Sequence, residues 1–80
     1  MPIFFLHLRE SGERIEDPQG TSFPSLMSAR AEAIRAAREM MAESLRQGLP
    51  LDHEQIEICN EAGELVEVVR FRDVLRAMGG

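Results

Sequence analysis

Residues 25–48 read SLMSARAEAIRAAREMMAESLRQG, and the spacing of their apolar side chains decides the fold. Ser25 follows Phe23-Pro24 and is a good N-cap, because its hydroxyl accepts from amides that the first helical turn leaves unbonded. Gly48, followed by Pro50, is a stop: glycine takes the left-handed turn that ends a helix, and proline withholds the next donor. At about 100° per residue, Leu26, Met27, Ala33, Ile34, Ala37, Met40, Met41 and Leu45 fall within an arc of about 140°. Glu32, Arg35, Glu39, Glu43 and Arg46 lie opposite. The segment is one amphipathic helix with a single apolar side, and its small alanines allow close approach to a sheet. Arg30 interrupts that side and is expected to snorkel past the sheet edge or to pair with an acid such as Asp17.

The flanking segments read as hairpins. The aromatic and aliphatic run from Ile3 to Arg9 ends at Glu10-Ser11-Gly12-Glu13, a strand followed by a tight turn. A two-residue Ser11-Gly12 loop sets Leu8 opposite Ile15, His7 opposite Glu16 and Arg9 opposite Arg14, which gathers Phe4, Leu6, Leu8 and Ile15 on one face. Asp17-Pro18-Gln19-Gly20 has the chemistry of a further turn. After the helix, Gln55 to Cys59 and Glu64 to Phe71 flank Asn60-Glu61-Ala62-Gly63, a type I turn closed by Gly63 with a bulge. Ile58 then faces Val66 and Ile56 faces Val68 on the inner side. On the outer side Cys59 meets Leu65, Glu57 meets Glu67, and Gln55 meets Val69. Asp73 is placed to cap a short helix running through Met78.

The fold class is therefore α+β with the order β-β-α-β-β, two antiparallel hairpins in one sheet and a short C-terminal helix. Two sheet orders satisfy the hairpins, with the first strand beside either the third or the fourth. One helix covers one sheet face, yet Ile3, Phe5, Leu65, Val69 and Phe71 fall on the other. Several apolar residues together on one sheet face call for cover, either from the terminal helix or from a second copy of the chain.

Composition bounds the function. Eighty residues make one domain, 1–80, and a chain this short has a marginal core that needs a staple or a partner. Cys59 is the single cysteine and His7 and His53 are the two histidines. An internal disulfide is thus impossible and cysteine-based zinc spacing is absent. Oligomerisation is the remaining support. Fourteen acidic residues against nine basic ones, all arginine, give a net charge of −5, which opposes binding to a phosphate backbone. No apolar stretch is long enough to span a bilayer and the N-terminus lacks the features of a signal peptide, so a cytoplasmic location is expected, which the unpaired thiol suits.

The opening Met1-Pro2-Ile3-Phe4-Phe5-Leu6-His7-Leu8-Arg9 resembles a family of short alphaproteobacterial proteins, frequent in rhizobia, that begin Met-Pro-x-Tyr/Phe-Phe-x-His-x-Arg. The resemblance continues through Asp17 and Gly20, Leu26-Met27-Ser28-Ala29-Arg30-Ala31-Glu32-Ala33, Glu61-Ala62-Gly63 and Phe71-Arg72-Asp73. Family members often carry proline just before the last phenylalanine, where Arg70 stands here. The family is a domain of unknown function, so the resemblance implies an architecture and no activity.

His7 has the chemistry of a proton-transfer or metal-binding group, but no Cys, Ser or Asp stands at motif spacing, and a hydrogen bond to Glu16 or at an interface accounts for it. Glu57 and Glu67, if opposed, form a carboxylate pair of the kind found in acid–base sites. With Arg9 beside them, the patch Arg9, Glu57, Glu67 is a salt-bridged sheet surface. Cys59 reads as a small strand hydrophobe without a neighbouring cation. No phosphate loop, dinucleotide fingerprint, nucleophile elbow or zinc-protease motif occurs. The expectation is a non-enzymatic interaction protein with no cofactor or metal. It forms a homodimer, or docks on another protein, through Ile3, Phe5, His7, Leu65, Val69 and Phe71. Nucleic-acid binding through Arg35, Arg38, Arg70, Arg72 and Arg76, and a small enzyme around His7, are the alternatives.

Overall fold

The computed structural model describes residues 1–49 and 53–79. Strand β1 (Ile3–Glu10) turns through Ser11-Gly12 into β2 (Glu13–Ile15). The registers Leu8↔Ile15 and Arg9↔Arg14 are those a two-residue loop requires. After the Asp17–Gly20 turn the chain returns to β1 as β3 (Thr21–Ser22), paired with Ile3 and Phe4. This short strand is absent from the reading of the sequence, two residues being too few for any periodicity. Helix α1 (Leu26–Arg46) follows, then β4 (Gln55–Cys59), β5 (Leu65–Arg70) and α2 (Phe71–Gly79). The sheet order is β2-β1-β4-β5, with β3 also on β1. The first strand therefore lies beside the third long strand of the chain, the first of the two orders the hairpins allow.

Ser25 caps α1, its hydroxyl accepting from the Ser28 amide at 3.2 Å. The chain leaves the helix through Gly48 at φ +77°, while Pro50 lies outside the described residues. Ala29, Ala33 and Ala37 are fully buried and Met41 nearly so, against Phe4, Ile56, Ile58, Val69, Phe71 and Val74. Met27 and Leu45, expected on the inner arc, are exposed. Both lie about 120° round the helix from Ala33, on the flank that the sheet does not reach. The buried stripe is instead centred on the alanines, which let α1 lie flat on the sheet.

The second hairpin departs from its expected register. Asn60 and Gly63 close the turn as anticipated, and Cys59 faces Leu65. A second irregularity between Ile58 and Cys59 then inserts Val66 as an extra residue, so that Ile58 faces Glu67, Glu57 faces Val68 and Ile56 faces Val69. The one-residue slip reverses the faces of everything beyond it. Val69 and Phe71, expected on the uncovered side, sit in the core at 3% and 0% exposure. Glu67 turns to the helix side and meets Arg30 at 3.5 Å, which is the acid Arg30 finds in place of Asp17. Helix α2 starts at Phe71 rather than at Asp73, and Asp73 lies within its first turn.

Both helices stand on the same side of the sheet, since Phe71 and Val74 of α2 share one core with the α1 alanines. The terminal helix thus adds nothing to the outer side. The result is a two-layer slab of 37 × 27 × 16 Å.

Candidate functional site

Alternation along β1 sends Phe5, His7 and Arg9 to the outer face, and the pairing Phe5↔Cys59, His7↔Glu57, Arg9↔Gln55 sets β4 side chains beside them. No layer covers this face, yet His7, Glu57 and Cys59 are each more than nine-tenths buried. Long neighbours fold over them. Arg9 grips Glu57 with Nε and Nη2 on the two carboxylate oxygens, both at 3.2 Å. Gln55 donates to Oε2 at 2.8 Å, and Arg14 Nε stands 3.4 Å from Oε1. The Arg9 hydrogen bonds hold the Glu57 carboxyl below the usual carboxylate range against the opposing pull of burial, with Gln55 and Arg14 assisting. A buried charge paired and hydrogen-bonded on all sides is the arrangement in which burial is tolerated.

His7 is fixed from the turn after β2. Its Nδ1 accepts from the Asp17 amide at 3.0 Å. The Glu16 carboxylate stands 3.3 Å from the same nitrogen. Asp17 does more than turn the chain. Its Oδ2 accepts from the Leu6 amide at 3.2 Å and its Oδ1 from Gly20 at 3.1 Å, so one side chain caps the open edge of β1 and closes the loop. The Phe5 ring stacks on His7 with centroids 6.1 Å apart, and Gly20 seats its backbone directly on Ile3 and Phe5.

Between the turns after β2 and β4 lies an open cleft of about 410 Å³ whose walls include Phe5, His7, Arg14, Asp17, Cys59 and Glu61. At its floor Arg14 Nη2 donates to the Cys59 sulfur at 3.0 Å. The thiol therefore has an adjacent cation, which the separation of 45 residues hid from the sequence; the Arg9↔Arg14 register sets Arg14 on the face of Arg9, and only the sheet order brings that face of β4 within its reach. The Asp17 amide engages His7 Nδ1 and Arg14 engages the Cys59 sulfur. Among the described residues no group of three or more His, Cys, Asp and Glu side chains is arranged to hold a metal ion. No helix of the described residues is long and apolar enough to cross a membrane.

Of the six residues expected at an interface, Ile3, Phe5, His7 and Leu65 belong to the outer side or its rim, while Val69 and Phe71 do not. Ile3 and Phe5 are half-buried, the Gly20 turn packing on both, and Leu65 is exposed at 55%. Of the polar patch, Arg9 and Glu57 are joined. Glu67 is on the opposite face, so the carboxylate pair does not exist. The five arginines of the nucleic-acid alternative are divided, with Arg76 exposed on α2. Arg35 is tied between Glu32 and Glu39, Arg38 and Arg70 border a groove between the helices, and Arg70 and Arg72 border a recess beside His53.

No curated protein and no solved structure matches the chain. A family profile matches residues 3–72, which include every strand and the start of α2. The chain belongs to the family described as Domain of unknown function (DUF6894).

Proposed function

We propose that this protein is a non-enzymatic, cytoplasmic interaction module that self-associates by stacking the outer faces of two sheets. The observation that carries the reading is the placement of both helices on one side of the sheet, which leaves the other side a single layer thick. Leu65, more than half exposed, rims that side beside half-buried Phe5. Its centre is rich in arginine with an aromatic beside it, and interface cores favour those residue types. A stable interface covers about 800 Å² per partner, and a slab face of 37 × 27 Å has room for one.

Light scattering supplies the test. The parent chain is expected at twice its 9.0 kDa mass, and Phe5→Glu and Leu65→Glu are expected at the single mass with unchanged circular dichroism. A parent chain that stays monomeric at high concentration removes the homodimer. Variants that still dimerise show that another surface is used.

A further inference from the structure

The free edge of β5, with the groove between α1 and α2 above it, is a second place where the fold stops short. Strand β5 ends the sheet. The ladder is built from alternate residues, Glu67 and Val69 turning their backbone groups toward Ile58 and Ile56 of β4. Val68 therefore points its amide and carbonyl away from the sheet. Its amide is held by a makeshift partner, the Oε1 of neighbouring Glu67 at 3.1 Å. Of the usual blocks against strand addition the edge carries the bulge at Val66 and the charge of Glu67, and no proline or lysine.

The groove beside this edge has a volume of about 240 Å³. Ile34 and Val74 make its apolar wall, and Arg30, Arg38 and Arg70 stand around it with Asp73 as the single carboxylate of the lining. Arg30 is engaged by Glu67. Arg38 and Arg70 make no ion pair with any described residue, in a chain whose net charge is −5. The space admits one or two side chains and is below the range of small-molecule pockets.

From the open edge and the unpaired arginines we infer that β5 accepts an extended acidic segment of another protein as an added antiparallel strand. The segment's backbone replaces Glu67 on the Val68 amide, main-chain bonds supply affinity, and its carboxylates pair with Arg38 and Arg70. This surface is separate from the outer sheet face, so the inference does not depend on self-association.

The probe is a fluorescein-labelled heptapeptide of alternating glutamate and valine, titrated by anisotropy at low salt beside its lysine–valine counterpart. Binding of the glutamate peptide alone is expected, weakened about tenfold by Arg38→Glu, a loss of the size one charge-assisted contact supplies, and unchanged by Phe5→Glu. Arg38 is exposed, so its variant folds. A glutamate peptide N-methylated at alternate amides is expected to bind at least tenfold more weakly, and Val68→Pro to abolish binding. Equal binding of the lysine peptide, or full affinity of the N-methylated one, overturns the inference. So does a peptide that fails to bind while Val68→Pro converts a dimer to a monomer, because the edge then belongs to a second copy. Binding of a labelled oligonucleotide in place of the peptide overturns it as well.

Discussion

Glu57 shows how a single residue makes an uncovered sheet face viable. Its carboxylate is buried and held ionised chiefly by the Arg9 hydrogen bonds. Because its folded pKa lies below the unfolded value of about 4.3, it contributes stability that is full above that value and is lost as pH falls through the lowered folded value. Glu57→Gln should therefore cost about 1–3 kcal/mol at pH 7, where Arg9 and Arg14 lose their partner, and much less at pH 3. Thermal midpoints of parent and variant at the two pH values check this, and a gap that stays constant would refute it. Gly20 is a second residue on which much rests. Its φ of +69° is costly for any other side chain, and an added Cβ would stand 2.7 Å from Ile3 Cγ2 and 2.9 Å from Phe5 Cε2. Gly20→Ala is expected to lower stability by at least about 1–2 kcal/mol from the backbone strain alone, read as a lower urea midpoint.

At the scale of elements, what the sequence could announce depended on how many independent signals agreed. The helix had three, an N-cap at Ser25, a glycine stop at Gly48 and one apolar arc, and its ends lie within two residues of both markers. The first hairpin had two, its loop length and the apolar match of Leu8 with Ile15, and its register is the expected one. The second hairpin had a correct turn and an ambiguous strand. In Leu65-Val66-Glu67-Val68-Val69-Arg70-Phe71 apolar residues occur at both odd and even positions, so a period of two selects neither face. The extra residue at Val66 is resolved only by tertiary packing, which draws Val69 and Phe71 under α1. The alanine stripe of that helix sets the layer spacing. Ala33→Leu should cost about 1–3 kcal/mol by overpacking, while Ala31→Leu on the exposed side stays within about 0.5 kcal/mol. Chemical denaturation of the pair checks the contrast, and equal midpoints would show that the layers have slack.

For the molecule as a whole, both helices lie on one side of the sheet and the other side has no covering layer. Two of the apolar residues thought to need cover are in the core, and the outer face protects itself in part with a buried ion network. That network was illegible because its members, Arg9, Arg14, Gln55, Glu57 and Cys59, come from three strands whose order the hairpins alone left open. What remains exposed there is a narrower rim, so the light-scattering result bears on a smaller and more polar surface than the strands suggested. One feature of the chain path matters for anyone shortening or fusing it. Strand β5 runs into α2 without an intervening residue, and the Phe71 amide donates to the Glu54 carbonyl at 3.0 Å. Phe71 is also the bulkiest side chain sealed completely from water. A C-terminal cut after Arg70 would spare every strand and still remove the keystone, so the minimal foldable unit extends past the last strand and into the terminal helix.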